Sequence, residues 1–187
     1  MKLRASLPFD CEVCILAGGL STRMGCDKAR LRLDHRTMLR WVRAATRQLK
    51  LPVRVIRRDL KPGCGPLGGI YTALKSSHAD TVLFLACDMP FISTGLLHAV
   101  FGNLTPGPRA WFVRHGGRVG FPFLLRRDAL PIVIDQVAQK ELSLQTLARI
   151  LKARTIRLPR AMSAELFNIN TPADWKKARR RVAELRS

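Results

Sequence analysis

The sequence contains no long apolar run. None of its hydrophobic stretches approaches the ~20 residues that a membrane-spanning helix needs, and the N-terminal apolar stretch is broken by Asp10 and Glu12 before it could serve as an export signal. A cytoplasmic protein is the expectation, with no membrane partner. Cysteines are few and odd in number: Cys11, Cys14, Cys26, Cys64 and Cys87. A disulfide framework is therefore not expected. Cys11 and Cys14 form one C-x-x-C pair, but no second pair or suitably spaced histidine follows to complete a zinc site. Cys14 opens an apolar strand and reads as a small core residue.

Acidic residues are also scarce. Thirteen Asp and Glu face 33 Lys and Arg, leaving a net charge of +20. Such a field draws in polyanions, whether nucleotides, phosphorylated cofactors, nucleic acid or acidic proteins. Aromatic residues make up only 6%, with one Tyr and three Trp. That leaves little stacking platform for nucleic acid, which is not the expected partner. Repeats and low-complexity tracts are absent. The 187 residues, 47% of them hydrophobic, fit one domain with one core, residues 1–187.

The remaining pattern alternates strand-like and helix-like segments, as in an α/β protein with a largely parallel sheet. Strands are predicted at Val13–Ala17, Val53–Ile56, Thr81–Cys87, Ala110–Val113 and Phe121–Leu125. Pro122 argues against the last, because proline cannot donate to a ladder. The run Thr81–Cys87 is continuously apolar, as a central strand buried on both faces requires. Met38, Trp41, Val42, Ala45 and Leu49 recur at helical spacing, and Ile70–Leu74 also reads as helix. Ser93 can cap a helix through Phe101, while Asp128 and Ser143 precede two more helical patterns. Thr171-Pro172-Ala173-Asp174 is a helix start: a capping threonine, proline at the first position and an acid at the third.

Four motifs carry chemistry. The first is Leu16-Ala17-Gly18-Gly19-Leu20-Ser21-Thr22-Arg23-Met24-Gly25-Cys26-Asp27-Lys28. Glycines directly after a strand let main-chain N–H groups approach phosphate oxygens, and Arg23 and Lys28 add cations for a triphosphate. The second is Asp88, where the apolar strand ends. Ligands of open α/β sheets bind outside the carboxyl ends of strands, and Mg²⁺ takes one or two carboxylates, with phosphates and water completing its shell. Alone, Asp88 would read as a turn or helix-capping aspartate. The third, Gly65-Pro66-Leu67-Gly68-Gly69-Ile70, joins a rigid turn to a close approach at a helix start. The fourth, Asn168-Ile169-Asn170-Thr171-Pro172, places two amides on one side of an extended segment, suited to a polar heterocycle. Alone, Asn170 and Thr171 would read simply as the start of the last helix.

Together, and in this order, the motifs resemble the molybdenum cofactor guanylyltransferase family. That family reads L-A-G-G-x-S-x-R-M-G-x-D-K, then G-P-L-x-G, D-x-P after a strand, and N-I-N-T-P. The resemblance runs from about residue 11 to 177. It implies a Rossmann-like three-layer nucleotidyltransferase fold and transfer of GMP from GTP to molybdopterin, with Mg²⁺ as cofactor. It further implies that Leu16, Ala17, Gly18, Gly19 and Lys28 contact the nucleotide, with Arg23 assisting. Asp59 matches an aspartate that contacts the nucleotide, Asp88 would hold Mg²⁺, and Asn168 and Asn170 would face molybdopterin. Acceptor molybdoenzymes or their chaperones would be downstream partners.

One departure stands out. Relatives carry a strand and a nucleotide-contacting asparagine between the first long helix and the Asp59 position. Here Gln48–Pro52 runs almost directly into Val53–Asp59. The sheet is therefore expected to carry one strand fewer beside Val13–Ala17, and base selection to be weaker. Three alternatives are weighed against guanylyl transfer: cytidylyl or other nucleotidyl transfer, a basic nucleic-acid-binding protein, and a non-catalytic cofactor carrier.

Overall fold

The computed structural model describes residues 9–18 and 31–184. Gly19, Arg23 and Lys28 lie outside the described residues, as does the remainder of the glycine-rich loop. The elements in chain order are β1 (Cys11–Leu16), β2 (Arg32–Leu33), β3 (Arg36–Thr37), α1 (Met38–Thr46), β4 (Val53–Ile56), α2 (Gly65–Lys75), β5 (Thr81–Ala86), α3 (Thr94–Phe101), β6 (Ala110–His115), β7 (Arg118–Arg126), α4 (Leu130–Ala138), α5 (Leu144–Ile150), β8 (Arg154–Ile156) and α6 (Pro172–Glu184). Short 3₁₀ turns at residues 47–49, 127–129 and 160–166 complete the path.

The main sheet has the order β4-β1-β5-β7-β6-β8, and β2 and β3 form a separate small hairpin. Pairings β4–β1, β1–β5 and β6–β8 are parallel, whereas β7 runs antiparallel to both β5 and β6. Among the described residues β4 is the edge beside β1.

Alternation along the strands divides the core between two faces. Cys11, Val13 and Ile15 of β1, with Leu83 and Leu85 of β5, pack beneath Leu39 and Val42 of α1 and Leu96, Leu97 and Val100 of α3. Cys14, Val82 and Phe84 point the other way, onto Leu67, Ile70 and Leu74 of α2, Val133 of α4 and Leu147 of α5. Helices thus cover both sheet faces, giving the expected three-layer α/β architecture. The same alternation sends the two thiols of the C-x-x-C pair to opposite faces, so they cannot grip one ion together. Burial above all pushes both thiols up to about 12, which leaves them protonated at neutral pH.

Pro122 is accommodated by an irregularity. Phe112 pairs with Phe123, but its neighbour Val113 pairs with Gly120, so Phe121 and Pro122 bulge out of the ladder. The strand consequently runs well beyond the predicted Phe121–Leu125. The first strand instead begins earlier and ends at Leu16, leaving Ala17 outside it. Asp128 does not cap α4. Its carboxylate pairs with Arg126 Nη2 at 2.8 Å, and Ala129 occupies the cap position.

A buried ion pair ties the parallel half together. Arg54 of β4 grips Glu12 of β1 with Nε (3.0 Å to Oε2) and Nη2 (to Oε1). The same guanidinium donates to Ala73 O at 2.9 Å and Ser76 Oγ at 2.7 Å. It thereby also satisfies a carbonyl in the last turn of α2, one of the acceptors a helix end leaves open.

Candidate active site

Three main-chain bonds draw the motif segments together. Past β1, Ala17 N–H donates to Ile56 O at 2.8 Å, at the end of β4. Cys87 N–H donates to Leu16 O at 3.0 Å, and Ile169 N–H donates to Asp88 O at 2.9 Å. The residues following β4, β1 and β5 and the Asn168–Asn170 segment therefore meet at the carboxyl ends of three parallel strands. This is the position at which open α/β sheets bind ligands.

Close packing favours glycine at Gly18, Gly68 and Gly69. A Cβ on Gly18 would stand 2.9 Å from Arg57 O. One on Gly68 would stand 2.7 Å from Lys61 O and 3.0 Å from Asp59 Oδ2, and one on Gly69 would meet the Leu16 methyls at 3.1 Å. Helix α2 accordingly begins at Gly65, five residues before the predicted Ile70, so that the glycine pair sits inside its first turns. The loop ahead of it is pinned by Leu60 N–H donating to Thr72 Oγ1 (2.9 Å), which itself donates to Gly68 O (2.8 Å). Asp59 is held half-buried between Gly18 and the glycine pair, and burial raises its pKa.

Asp88 is half-buried immediately after β5. Ile169 is fully buried against Leu33, Met38, Ala178 and Val182. This anchors the strand-like segment, leaving Asn168 exposed and Asn170 half-buried on either side. Helix α6 starts as the sequence predicted. Asp174 Oδ2 accepts from Asn170 N–H (3.1 Å), Thr171 N–H (2.9 Å) and the Thr171 hydroxyl (2.8 Å). Asp174 N–H returns a bond to Thr171 Oγ1 at 3.1 Å. Burial works to raise the Asp174 carboxyl, but these bonds and the Lys177 charge outweigh it and lower the pKa. Of the predicted site residues, Leu16, Ala17, Gly18, Asp59, Asp88, Asn168 and Asn170 thus lie on segments that meet around the crevice outside the carboxyl ends of these strands.

A family description, the MobA-like NTP transferase domain, matches residues 13–158. The chain belongs to this family. The family's chemistry is nucleotidyl transfer, and its curated relatives place the chain in molybdenum cofactor biosynthesis. The molybdenum cofactor guanylyltransferase of Xanthomonas euvesicatoria is 30% identical, over 87% of this chain and 91% of its own. That of Syntrophotalea carbinolica is 31% identical, over 89% of each. The crystal structure of molybdopterin-guanine dinucleotide biosynthesis protein A from Archaeoglobus fulgidus superposes with a TM-score of 0.71. It covers 92% of this chain and 99% of its own at 20% identity, which shows the shared fold.

Sequence reasoning missed one part of this region. Phe91, Phe167 and Arg181 gather beside the crevice, with the Arg181 guanidinium carbon 4.1 Å from the Phe91 ring centre. Lys176, Lys177, Arg179 and Arg180 of the same helix are exposed, whereas Arg181 folds inward over a ring. No local signal joins residues so far apart in sequence.

Proposed function

We propose that this protein transfers GMP from GTP to the phosphate of molybdopterin, releasing pyrophosphate, with Mg²⁺ held at Asp88. The observation that carries the reading is the trio of main-chain bonds that brings Leu16–Gly18, Asp88 and Asn168–Asn170 together at the carboxyl ends of β1 and β5. The names of the curated relatives, molybdenum cofactor guanylyltransferases, support a guanylyl group as the one transferred and the molybdenum cofactor as its destination.

The acceptor phosphate attacks the α-phosphorus of GTP. The bond from that phosphorus to the bridging oxygen breaks, and pyrophosphate leaves with the electron pair. A phosphate monoester has a second pKa near ~6, so the nucleophile is ionised at neutral pH and needs no protein base. The difficulty is to bring two polyanions together. Lys28 and Arg23 supply cations for this, and the main chain around Gly18 approaches the phosphates closely. Among the described residues no cluster of three His, Cys, Asp or Glu side chains offers an all-protein cage. A single half-buried carboxylate at a strand end fits Mg²⁺, which completes its shell with phosphates and water. When bound there, the ion would neutralise charge on the phosphates.

Asp59 reads the base. Guanine presents two adjacent N–H donors on one edge, and an ionised carboxylate accepts from both. Without the additional asparagine of relatives, Asp59 carries this recognition alone. Losing one hydrogen bond costs about 0.5–1.5 kcal/mol, up to roughly tenfold in discrimination. The test compares kcat/KM for GTP, ATP and CTP with molybdopterin as acceptor. GTP is preferred, by a narrower margin than in relatives that keep the asparagine. A preference for CTP would overturn the guanylyl reading.

A further inference from the structure

Beside the crevice lies a cavity of about 230 Å³ that none of the four motifs accounts for. Phe91 and Phe167 form two of its walls, their ring centres 6.3 Å apart and their planes inclined by 46°. Arg181 shapes a third side. Its guanidinium covers the Phe91 ring, and its Nη1 donates to Ala164 O, fastening α6 to the 3₁₀ turn at residues 160–166. Lys177, His115 and Ser163 also line the cavity, and no acidic residue does. Aromatic walls with cations around them suit a flat heterocycle that carries negative charge, because such rings stack on aromatic faces and on guanidinium planes.

The position matters as much as the lining. Phe91 follows Asp88 by three residues, a span of at most ~11 Å. Phe167 directly precedes Asn168, and the bond from Ile169 N–H to Asp88 O joins the two segments. None of the lining residues lies on α2 or on the loop that carries Asp59. The cavity therefore lies within a small molecule's length of the reaction centre, on elements that do not touch the base-reading aspartate's loop.

We infer that this cavity seats the ring system of the acceptor, a pterin-type heterocycle with an anionic tail. Phe91 and Phe167 wall the ring with aromatic surface, Arg181 sets the shape of the cavity, and Lys177 attracts the anionic acceptor, whose phosphate reaches towards Asp88. The inference rests on the transfer reaction proposed above. Phe91→Leu keeps an apolar side chain but removes the aromatic face. Lys177→Gln alters an exposed side chain, so it leaves the fold intact even if Phe91→Leu does not.

Two readouts separate this inference from the functional reading. In steady-state assays, Phe91→Leu raises KM for molybdopterin at least about fivefold, the scale of a lost stacking contact. Lys177→Gln raises it about twofold or more and flattens its salt dependence, and KM for GTP stays unchanged in both. Unchanged acceptor KM in both variants, or a rise in KM for GTP instead, overturns the cavity assignment while leaving the reaction standing. The second readout needs no turnover. The fluorescence of 6-hydroxymethylpterin phosphate is titrated with the full chain, and binding is weakened by the same factors in the same variants. If the wild-type chain does not turn over GTP with molybdopterin, the functional reading fails. Pterin phosphate binding that Phe91→Leu weakens would still uphold the cavity, and the absence of such binding in the wild-type chain would overturn it.

Discussion

Substituting Gly68 by alanine tests whether the glycine pair is there to position Asp59. In most helices a glycine-to-alanine change stabilises by up to ~1 kcal/mol, through propensity alone. At Gly68 the new Cβ would stand 2.7 Å from Lys61 O, a main-chain atom, and 3.0 Å from Asp59 Oδ2. Overpacking of this kind costs about 1–3 kcal/mol, so the balance lies between neutrality and ~2 kcal/mol of destabilisation. Gly95 in α3 is the control. Its added Cβ would meet nothing nearer than Ser93 Oγ at 3.5 Å, and Gly95→Ala keeps the propensity gain. The two variants should differ by about 1–3 kcal/mol, or roughly 2–12 °C in Tm for a chain of this size. Relief of the overlap moves the loop at residues 59–61, and Asp59 with it. Gly68→Ala should therefore also lower the preference for GTP over ATP severalfold, whereas Gly95→Ala should not. Thermal unfolding and paired kcat/KM measurements read both effects. If Gly68→Ala stabilised as much as Gly95→Ala and kept its GTP preference, the reasoning about this contact would be wrong.

Asp88→Ala should unfold at nearly the wild-type temperature but lose on the order of 100-fold or more in turnover, because the charge neutralisation expected of a bound metal is gone; near-normal turnover would remove Asp88 from the mechanism. Burial raises the Asp59 pKa, so the carboxylate loses its charge at a higher pH than an exposed aspartate near ~3.9 would. The acidic limb of the kcat/KM profile for GTP should sit correspondingly high, and should vanish in Asp59→Asn at a uniformly low rate; an unchanged limb in that variant assigns it to another group. Arg54→Met strands Glu12, which is 6% exposed, and should cost about 3 kcal/mol in urea unfolding. A loss under ~1 kcal/mol would mean that the pair contributes little to joining β1, β4 and α2.

Much of the fold was legible because its signals are local. Val53–Ile56 has the bounds read from its residues, and β5, apolar after Thr81, is indeed buried on both faces of the sheet. Ser93, Ser143 and Thr171 cap their helices as their side chains imply, since a hydroxyl three residues ahead of an amide needs nothing else to act. Elements too short to show a period went unread. These are the two-residue strands of the β2–β3 hairpin, the three residues of β8 and the 3₁₀ turn at residues 160–166. Where another contact or a bulge competes with a residue's usual preference, the reading from residue type fails. Asp128 is drawn to Arg126 rather than to a helix end, and Pro122 remains within its strand because a bulge removes it from the ladder.

The site divides along the same line. Leu16–Gly18, Gly65–Gly69, Asp88 and Asn168–Asn170 form contiguous motifs, and the structure brings their segments to one end of the sheet. The position of Asp59 could be taken only from resemblance. The close packing of Gly18, Gly68 and Gly69 around it supplies a physical reason for that position. The Phe91–Phe167–Arg181 cavity was invisible, because it depends on how α6 lies against a turn rather than on any spacing within the chain.

The central claim is tested most directly by identifying the product. The purified chain is incubated with GTP, molybdopterin and Mg²⁺, and the mixture is analysed by mass spectrometry alongside a pyrophosphate assay. Molybdopterin-guanine dinucleotide and pyrophosphate should appear in equal amounts, and neither should form when molybdopterin is omitted. Binding of both substrates without dinucleotide or pyrophosphate would contradict the account and assign the chain to cofactor carriage instead.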